Sequence, residues 1–413
     1  MLRIKIKIKQ NFMNKIITDE KRIDEILERG VIAEVLPTKK EFKEKLMSGK
    51  KLRFYIGADP TAKALHLGHA QNLMTLEEFR KLGHEVIFLI GDFTALIGDP
   101  DKSSARVKQV REEIEENFKG WIEQTKNILS FDDKENPVQV KYNSEWLGKL
   151  NFAEVVELAG NFTVQQILER DMFEKRMKEG KPIYLHEFMY PLMQGYDSVA
   201  MDVDVELCGT DQIFNALAGR TLLKKLKNKD KFVVANNLIQ DEKTGQLMSK
   251  SAGTGIFLDL TADDLFGAIM AQSDGIIRPL LLGCTKISLA EIEELMKLEN
   301  PRDAKMRLAF EIVKIYHSEK DAQKAQEYFV NTFSKKEIPD DVEEFKAKEN
   351  ENILDFLVRI KFANSKGDAR RKIEQGGVKI DTEKITDWNL TLSDKYDKKV
   401  LQVGKKNFGR IVF

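Results

Sequence analysis

The sequence predicts an α/β protein: a parallel, doubly wound sheet carrying a helical insertion, followed by an α-helical domain and a small α+β domain. Three observations predict it. Short apolar runs at 52–56, 86–90, 138–141, 203–207 and 232–236 alternate with stretches of helical spacing, as strands do when helical crossovers join them in parallel. The alternation breaks at about 145–202, where helical spacing prevails, and it stops after Thr261. Charge then sets the far end of the chain apart, because residues 353–413 hold 14 Lys or Arg against 8 Asp or Glu, a net of +6 that leaves −6 for the remainder.

Taken in order, residues 1–48 form an N-terminal extension and a lead-in expected to be helical over 20–47. The opening nine residues, Met1 to Lys9, alternate apolar and basic side chains and lack the apolar core of a secretory signal. Met13 follows, and two readings stay open: translation starting at Met13, or a basic arm touching RNA. Residues 49–258 hold the sheet, with the insertion at about 145–202 offering a dimer surface. Over 259–335 the pattern is helical, and within 301–317 Met306, Ala309, Phe310 and Val313 lie on one face with Arg302, Lys305 and Lys314 elsewhere. Lys and Glu dominate 336–351, together with Pro339, Asp340, Asp341 and Glu343, the composition of a solvated linker. Residues 352–413 form the last domain, whose positive charge suits nucleic acid.

A chain of 413 residues with 42% apolar and 32% charged side chains has the composition of a soluble globular protein of two or three domains. Its 2 cysteines cannot build a disulfide framework. No apolar run approaches the roughly 20 residues of a membrane span, so no membrane partner and a cytoplasmic setting are expected.

The segment from Tyr55 to His69 reads as a strand, a short loop and a helix start, with Asp59, Thr61, His66, Gly68 and His69 in the turn. Unpaired backbone N–H groups at such a helix N-terminus favour a polyphosphate, and a glycine there admits close approach. A His-x-x-His pair is also half of a zinc site. No cysteine or third histidine lies nearby, since Cys208 and Cys284 are far away, so no protein-bound metal is expected. Asp99 sits in a Gly-rich loop, 91–100, just after a strand. Tyr190, Gln194 and Asp197 fall at i, i+4 and i+7 and share one helix face. Gly209, Asp211 and Gln212 follow another strand, and Leu247, Met248, Ser249, Lys250 and Ser251 lie in a loop rich in Gly, Ser and Thr.

His-Leu-Gly-His at 66–69 followed about 180 residues later by Met-Ser-Lys-Ser at 248–251 resembles the paired signatures of class I aminoacyl-tRNA synthetases. Residues 190–198, YPLMQGYDS, and 204–215, DVELCGTDQIFN, resemble the bacterial tyrosyl-tRNA synthetases in particular. The resemblance implies a Rossmann-like catalytic domain at 49–258 and a helical anticodon-binding domain at 259–335. It implies that Tyr55 and Asp197 hydrogen-bond the phenol of L-tyrosine while Asp99, Tyr190 and Gln194 hold its ammonium group, with Asp59 and Gln212 in the same pocket. A phenol both donates and accepts, so a carboxylate and a tyrosine satisfy it, whereas phenylalanine leaves both unpaired. For ATP it implies Thr61, His66, Gly68 and His69, then Gly209 and Asp211, then Met248, Ser249, Lys250 and Ser251. Thr61, His66, His69 and Lys250 take the catalytic part. Tyrosine carboxylate attacks the α-phosphorus and pyrophosphate leaves, with ATP as substrate, Mg2+ carried by it, and tyrosine passed next to the 3′ end of tRNA(Tyr). A homodimer is a further family expectation.

Residues 352–413 resemble the small RNA-binding fold named after ribosomal protein S-four, with Arg359, Lys366, Arg370, Arg371 and Lys372 as its RNA-binding cations. One departure stands out. The family usually has a lysine where this chain has Leu247, which leaves Lys250 as the main cation of the loop and Lys243, Lys102 and Arg106 as possible substitutes. Leu247 keeps open a synthetase-like RNA-binding protein with impaired catalysis. A tryptophanyl-tRNA synthetase is the alternative within the class, disfavoured by Tyr55 with Asp197.

Overall fold

The five apolar runs pair as strands in the computed structural model, which describes residues 16–99, 111–249, 253–334, 342–381, 383–404 and 407–413. β1 (Ile32–Leu36), β2 (Arg53–Ala58), β3 (Glu85–Ile90), β4 (Gln139–Tyr142), β5 (Val205–Gly209) and β6 (Phe232–Asn236) form one sheet in the order β1-β6-β5-β2-β3-β4. Neighbours from β6 to β4 run parallel, and β1 lies antiparallel on β6. Growth of the sheet reverses between β2 and β5. The crevice beyond their carboxyl ends is therefore the topological switch point, where open α/β sheets bind ligands.

β1 was not expected. The stretch 20–47 reads as helical throughout, yet it is two helices, α1 (Glu20–Leu27) and α2 (Lys39–Met47), on either side of a strand. Asp19 and Thr38 cap the helices, each accepting from the backbone N–H three residues on. The strand escapes a period-two reading because its register on β6 shifts between Ile32 and Glu34, an irregularity that spoils the alternation of buried side chains.

α3 (Leu67–Lys81) follows β2, while α4 (Thr94–Ile97) and α5 (Arg111–Thr125) follow β3. The insertion supplies α6 (Ser144–Leu147), α7 (Phe152–Ala159), α8 (Val164–Leu168), α9 (Asp171–Lys178) and α10 (Met189–Met201). α10 packs closely on α11 (Ile213–Lys227): a Cβ on Gly195 would lie 3.2 Å from the backbone nitrogen of Gly219. Beyond the sheet, α12 (Ala262–Met270), α13 (Ile277–Cys284), α14 (Leu289–Met296) and α15 (Pro301–Tyr316) bury Phe266, Leu281, Ile292 and Leu308. Lys305 departs from expectation. Instead of facing solvent it is buried, and its Nζ donates to Gln272 O at 2.6 Å and pairs with Asp274 at 2.7 Å.

The chain divides into two units, the first ending at Glu319 and the second running from Lys320 to Phe413. α16 (Glu319–Phe329) opens the second. There β7 (Glu344–Lys346), α17 (Ile353–Arg359), α18 (Lys366–Glu374), β8 (Val378–Ile380), β9 (Glu383–Lys384), β10 (Val400–Val403) and β11 (Asn407–Val412) build a sheet in the order β7-β11-β10-β8-β9 under two helices. Phe356, Leu357, Ile373, Val378, Leu401 and Ile411 fill its core. β7 corrects the solvated linker expected over 336–351, since residues 344–346 pair in parallel with β11. Three residues are too few to register as a strand by pattern. Among the described residues no single helix is long and apolar enough to cross a membrane.

Candidate active site

Ligand-facing loops gather at the carboxyl ends of the strands. The loop from Pro60 to Leu65 leaves β2 and is clamped by α5: Asn117 Nδ2 donates to Pro60 O at 2.9 Å, Trp121 Nε1 to Ala62 O at 2.9 Å and Gln124 Nε2 to Lys63 O at 3.0 Å, while Leu65 N donates to Gln124 Oε1 at 2.8 Å. His66 then caps α3. Its Nδ1 accepts from Gly68 N at 3.1 Å, and His69 Nδ1 accepts from His66 N at 3.3 Å. A backbone N–H only donates, so each imidazole uses Nδ1 as acceptor and carries its proton on Nε2. Both rings are neutral. Burial lowers His66 from 6.5 to about 4, and burial with the neighbouring His66 lowers His69 from 6.5 to about 3. A Cβ on Gly68 would come within 2.8 Å of His66 Cε1, so this glycine is needed by the cap itself.

The second signature returns to the first. Leu67 N donates to Ile256 O at 3.0 Å and Leu258 N to Leu65 O at 2.9 Å, an antiparallel bridge between 65–67 and 256–258. The segment 256–258, which follows the second signature in the chain, is thereby tied to the histidine turn. Within the signature Met248 is buried, Leu247 is half-exposed, and Thr254 Oγ1 accepts from Ser249 N at 3.0 Å and donates to Leu247 O at 2.8 Å. Lys250, Ser251, Lys102 and Arg106 lie outside the described residues, as does the stretch from Met1 to Met13. Lys243 is exposed in the turn before Leu247.

Tyr55 on β2 is fully buried, and its Oη lies 3.0 Å from Ser198 Oγ. Burial, then the charges of Glu206 and Asp197, hold its phenol proton well above the usual range. Asp197, also buried, accepts from Trp146 Nε1 at 2.7 Å and from Asn143 Nδ2 at 3.4 Å. Burial pushes this carboxyl up, while those two donors favour its charged form. Asp59 accepts from Tyr190 Oη at 2.8 Å and from Thr94 Oγ1 at 2.7 Å. Asp99 accepts from Arg170 Nη2 and from Gln212 Nε2, both at 2.9 Å, and Asn215 Nδ2 in turn holds Gln212 Oε1 at 2.8 Å. Gln194 Nε2 donates to Glu206 Oε1 at 2.9 Å. Asp211 is exposed at the end of β5, and a Cβ on Gly209 would lie 2.5 Å from its Oδ1.

Among the described residues expected at the site, Asp59 is bonded to Tyr190 and Asp99 to Gln212, and the rest are not joined with them in one bonded set. Asp99, Tyr190 and Gln194 each hold a different partner. Sequence reasoning missed Thr94, Asn143, Trp146, Arg170, Ser198, Glu206 and Lys231. Glu206 carried a usable signal, because a carboxylate inside the apolar run of a central parallel strand must be paired.

In the second unit, Arg359 is bonded to Glu351 and to Lys346 O, and Lys372 to Asp368 and Phe362 O. Both brace the fold. Lys366 and Arg371 are the more exposed, and Arg370 lies 4.4 Å over the ring of Trp388 while bonded to Glu374.

Residues 47–334 match the family model described as tRNA synthetases class I (W and Y), and residues 334–411 match the tyrosine–tRNA ligase SYY-like C-terminal domain. A tyrosine–tRNA ligase of Carboxydothermus hydrogenoformans is 43% identical over 413 residues, covering 95% of this chain and 98% of its own. That of Thermotoga maritima is 42% identical over 400 residues, with the same coverage of 95% and 98%. Among solved structures, a C-terminally truncated mitochondrial tyrosyl-tRNA synthetase of Aspergillus nidulans superposes with a TM-score of 0.64 at 22% identity, over 76% of this chain and 94% of its own. The Archaeoglobus fulgidus tyrosyl-tRNA synthetase complexed with L-tyrosine gives 0.58 at 20% identity, over 75% and 100%.

Proposed function

This chain belongs to the tyrosine–tRNA ligase family of class I aminoacyl-tRNA synthetases, and we propose how its residues divide that family's reaction, in which ATP activates tyrosine to tyrosyl-adenylate and tyrosine then passes to the 3′ end of tRNA(Tyr). The bridge between 65–67 and 256–258 carries this reading most, because it ties the segment that follows the second signature in the chain to the histidine turn. Neither the tryptophan enzyme nor a catalytically impaired relative is favoured, since the similar chains are tyrosine ligases.

Tyr55 and Asp197 take the substrate phenol at the buried end. Asp59, Asp99, Tyr190, Gln194 and Gln212 take the amine and carboxyl. The acidic side chains of Asp59, Asp99, Asp197 and Glu206 in this bonded set suit an incoming ammonium. A tyrosine carboxylate oxygen then forms a bond to the α-phosphorus as the bond to the bridging oxygen breaks. His66 and His69, neutral with the proton on Nε2, donate hydrogen bonds to the phosphates along with Thr61, and Lys250 supplies positive charge. Gly68 leaves space at the helix start, Gly209 and Asp211 take the ribose, and Met248, Ser249 and Ser251 frame the phosphates. Magnesium would enter with ATP, whose phosphates would supply its ligands.

In the second unit Lys366, Arg370 and Arg371 offer the tRNA backbone its charge, with Arg359 and Lys372 behind them. The insertion exposes Phe152, Val156, Val164 and Leu185, apolar side chains suited to cover by a second copy, which supports a homodimer. Two buried free thiols, Cys208 and Cys284, accord with a cytoplasmic setting.

Tyrosine-dependent exchange of pyrophosphate into ATP tests the reading. Exchange driven by tryptophan, or none with tyrosine, would overturn it. Truncation before residue 342, which removes β7 together with its partner β11, should leave exchange intact and weaken tRNA charging by roughly tenfold or more. Equal loss of both steps would show that the second unit is needed for activation.

A further inference from the structure

Behind the pocket lies an ion pair that the reaction above does not use. Lys231, just before β6, is 1% exposed and Glu206 on β5 is 2% exposed; Lys231 Nζ donates to Glu206 Oε2 and, at 2.9 Å, to Ser198 Oγ on α10. Ser198 Oγ is in turn 3.0 Å from Tyr55 Oη. The other oxygen of Glu206 holds Gln194. Gly219 on α11 makes the room, since a Cβ there would lie 2.5 Å from Lys231 Nζ and 2.7 Å from Ser198 Oγ. A buried ion pair adds little net stability over apolar side chains of the same volume, so its consequence is to be sought in what it orients.

An ammonium only donates. Ser198 Oγ therefore accepts from Lys231, and its own proton has two possible acceptors, Tyr55 Oη at 3.0 Å or Glu206 Oε2 at 3.4 Å. The first distance falls within the range of an O–H···O bond and the second outside it, and Oε2 already accepts from the ammonium. Ser198 thus donates to Tyr55. The phenol proton of Tyr55, which burial keeps on the oxygen, then has Glu206 or a hydroxyl in the pocket as its acceptor, and Glu206 already accepts from Lys231 and Gln194, which favours the pocket.

We propose that Lys231 is a positioning residue for tyrosine selectivity: a donor-only cation at one end and the Asp197 carboxylate at the other fix the direction of a hydroxyl chain running Lys231, Ser198, Tyr55, substrate phenol, Asp197. Through Glu206 the same pair steadies Gln194 at the amine end. The inference rests on the assignment of Tyr55 and Asp197 to the phenol. Phenylalanine has no hydroxyl to complete the chain, and it leaves the Tyr55 donor and the Asp197 acceptor facing each other across a gap.

The test is pyrophosphate exchange by the full chain with tyrosine and with phenylalanine. Ser198→Ala removes the link and keeps the ion pair, whereas Lys231→Met combined with Glu206→Gln removes both charges so that neither is buried alone. Each should lower kcat/KM for tyrosine about tenfold relative to that for phenylalanine, with the KM for ATP unchanged. Combining all three substitutions should cost no further discrimination, because the lysine acts through the serine. Equal losses for both amino acids, or discrimination losses that multiply, would assign these residues a merely structural part and overturn the proposal. Should the charge-free double variant fail to fold, Ser198→Ala decides alone. Asp197→Asn separates the two levels: if it too leaves discrimination unchanged, the pocket assignment falls and the relay with it, whereas discrimination lost in Asp197→Asn but kept in Ser198→Ala refutes the relay only.

Discussion

At the end of the site proposed for the phenol, Tyr55, Asp197, Ser198 and Glu206 are all buried and bonded to other side chains, while at the end proposed for the phosphates His66 and His69 are only half-buried and take their hydrogen bonds from the backbone of their own helix turn. The difference follows from what each end must recognise. A phenol differs from a phenyl ring by one hydroxyl, and discrimination on so small a feature needs fixed partners that suffer when it is absent. A triphosphate carries charge enough to be held by backbone amides, outward N–H groups and a cation delivered by a loop, and these tighten only as the charge moves. On the proposed assignment, selectivity is built in before binding and catalysis is completed after it.

Substitutions at the two ends should separate those properties. The largest effect is expected for Asp197→Asn, which keeps an acceptor for the phenol but loses the charge that strengthens it. kcat/KM for tyrosine should fall roughly 100-fold with the KM for ATP little changed, and an unchanged tyrosine constant would remove Asp197 from the pocket. Lys250→Ala should do the reverse, lowering the rate of adenylate formation about tenfold, the scale of a single charge contact, while leaving equilibrium tyrosine affinity as it was. Pre-steady-state adenylate formation together with equilibrium dialysis would show it. Wild-type exchange by Lys250→Ala would transfer the phosphate charge to Lys102, Arg106 or Lys243.

The same contrast governs what was legible in the sequence. Asp59, Asp99 and Gln212 are legible through the motifs that carry them, and the structure bonds Asp59 to Tyr190 and Asp99 to Gln212. Side chains whose meaning comes from a distant partner are not. Trp146 serves Asp197 from 51 residues away and Lys231 serves Glu206 from 25, and nothing local marks either pair. β1 was hidden by its irregular register and β7 by its length of 3 residues, while Lys305 was placed outside because a lysine is assumed solvated until a buried carbonyl claims it. Gly68 was read as space for the nucleotide, and its nearer constraint is the ring of His66.

The smallest expected effect sharpens the comparison from the side of stability. His66, His69 and the fully buried His84 are lowered from 6.5 to about 4, about 3 and about 4, in each case first by burial. An unfolded chain takes up these protons as pH falls through 6.5, and the folded chain resists until about 4. In that window protons favour the unfolded state, so the stability present above 6.5 is lost progressively on acidification toward 4. Catalysis should not share the trend in its upper part: imidazoles already neutral at pH 6 change nothing between about pH 6 and 8, and kcat/KM for ATP should show no histidine limb there. His84 isolates the stability effect because it is outside the residues proposed to bind the nucleotide, buried with Nδ1 accepting from Leu52 N at 3.3 Å and, among the described residues, no hydrogen-bond partner for Nε2. His84→Asn retains an acceptor in place of Nδ1 and cannot titrate. Its melting temperature should fall less steeply than that of the wild type between pH 6.5 and 4, by a difference on the order of a few degrees at the acid end. Parallel melting curves across that window would mean that His84 is as readily protonated in the folded chain as in the unfolded one.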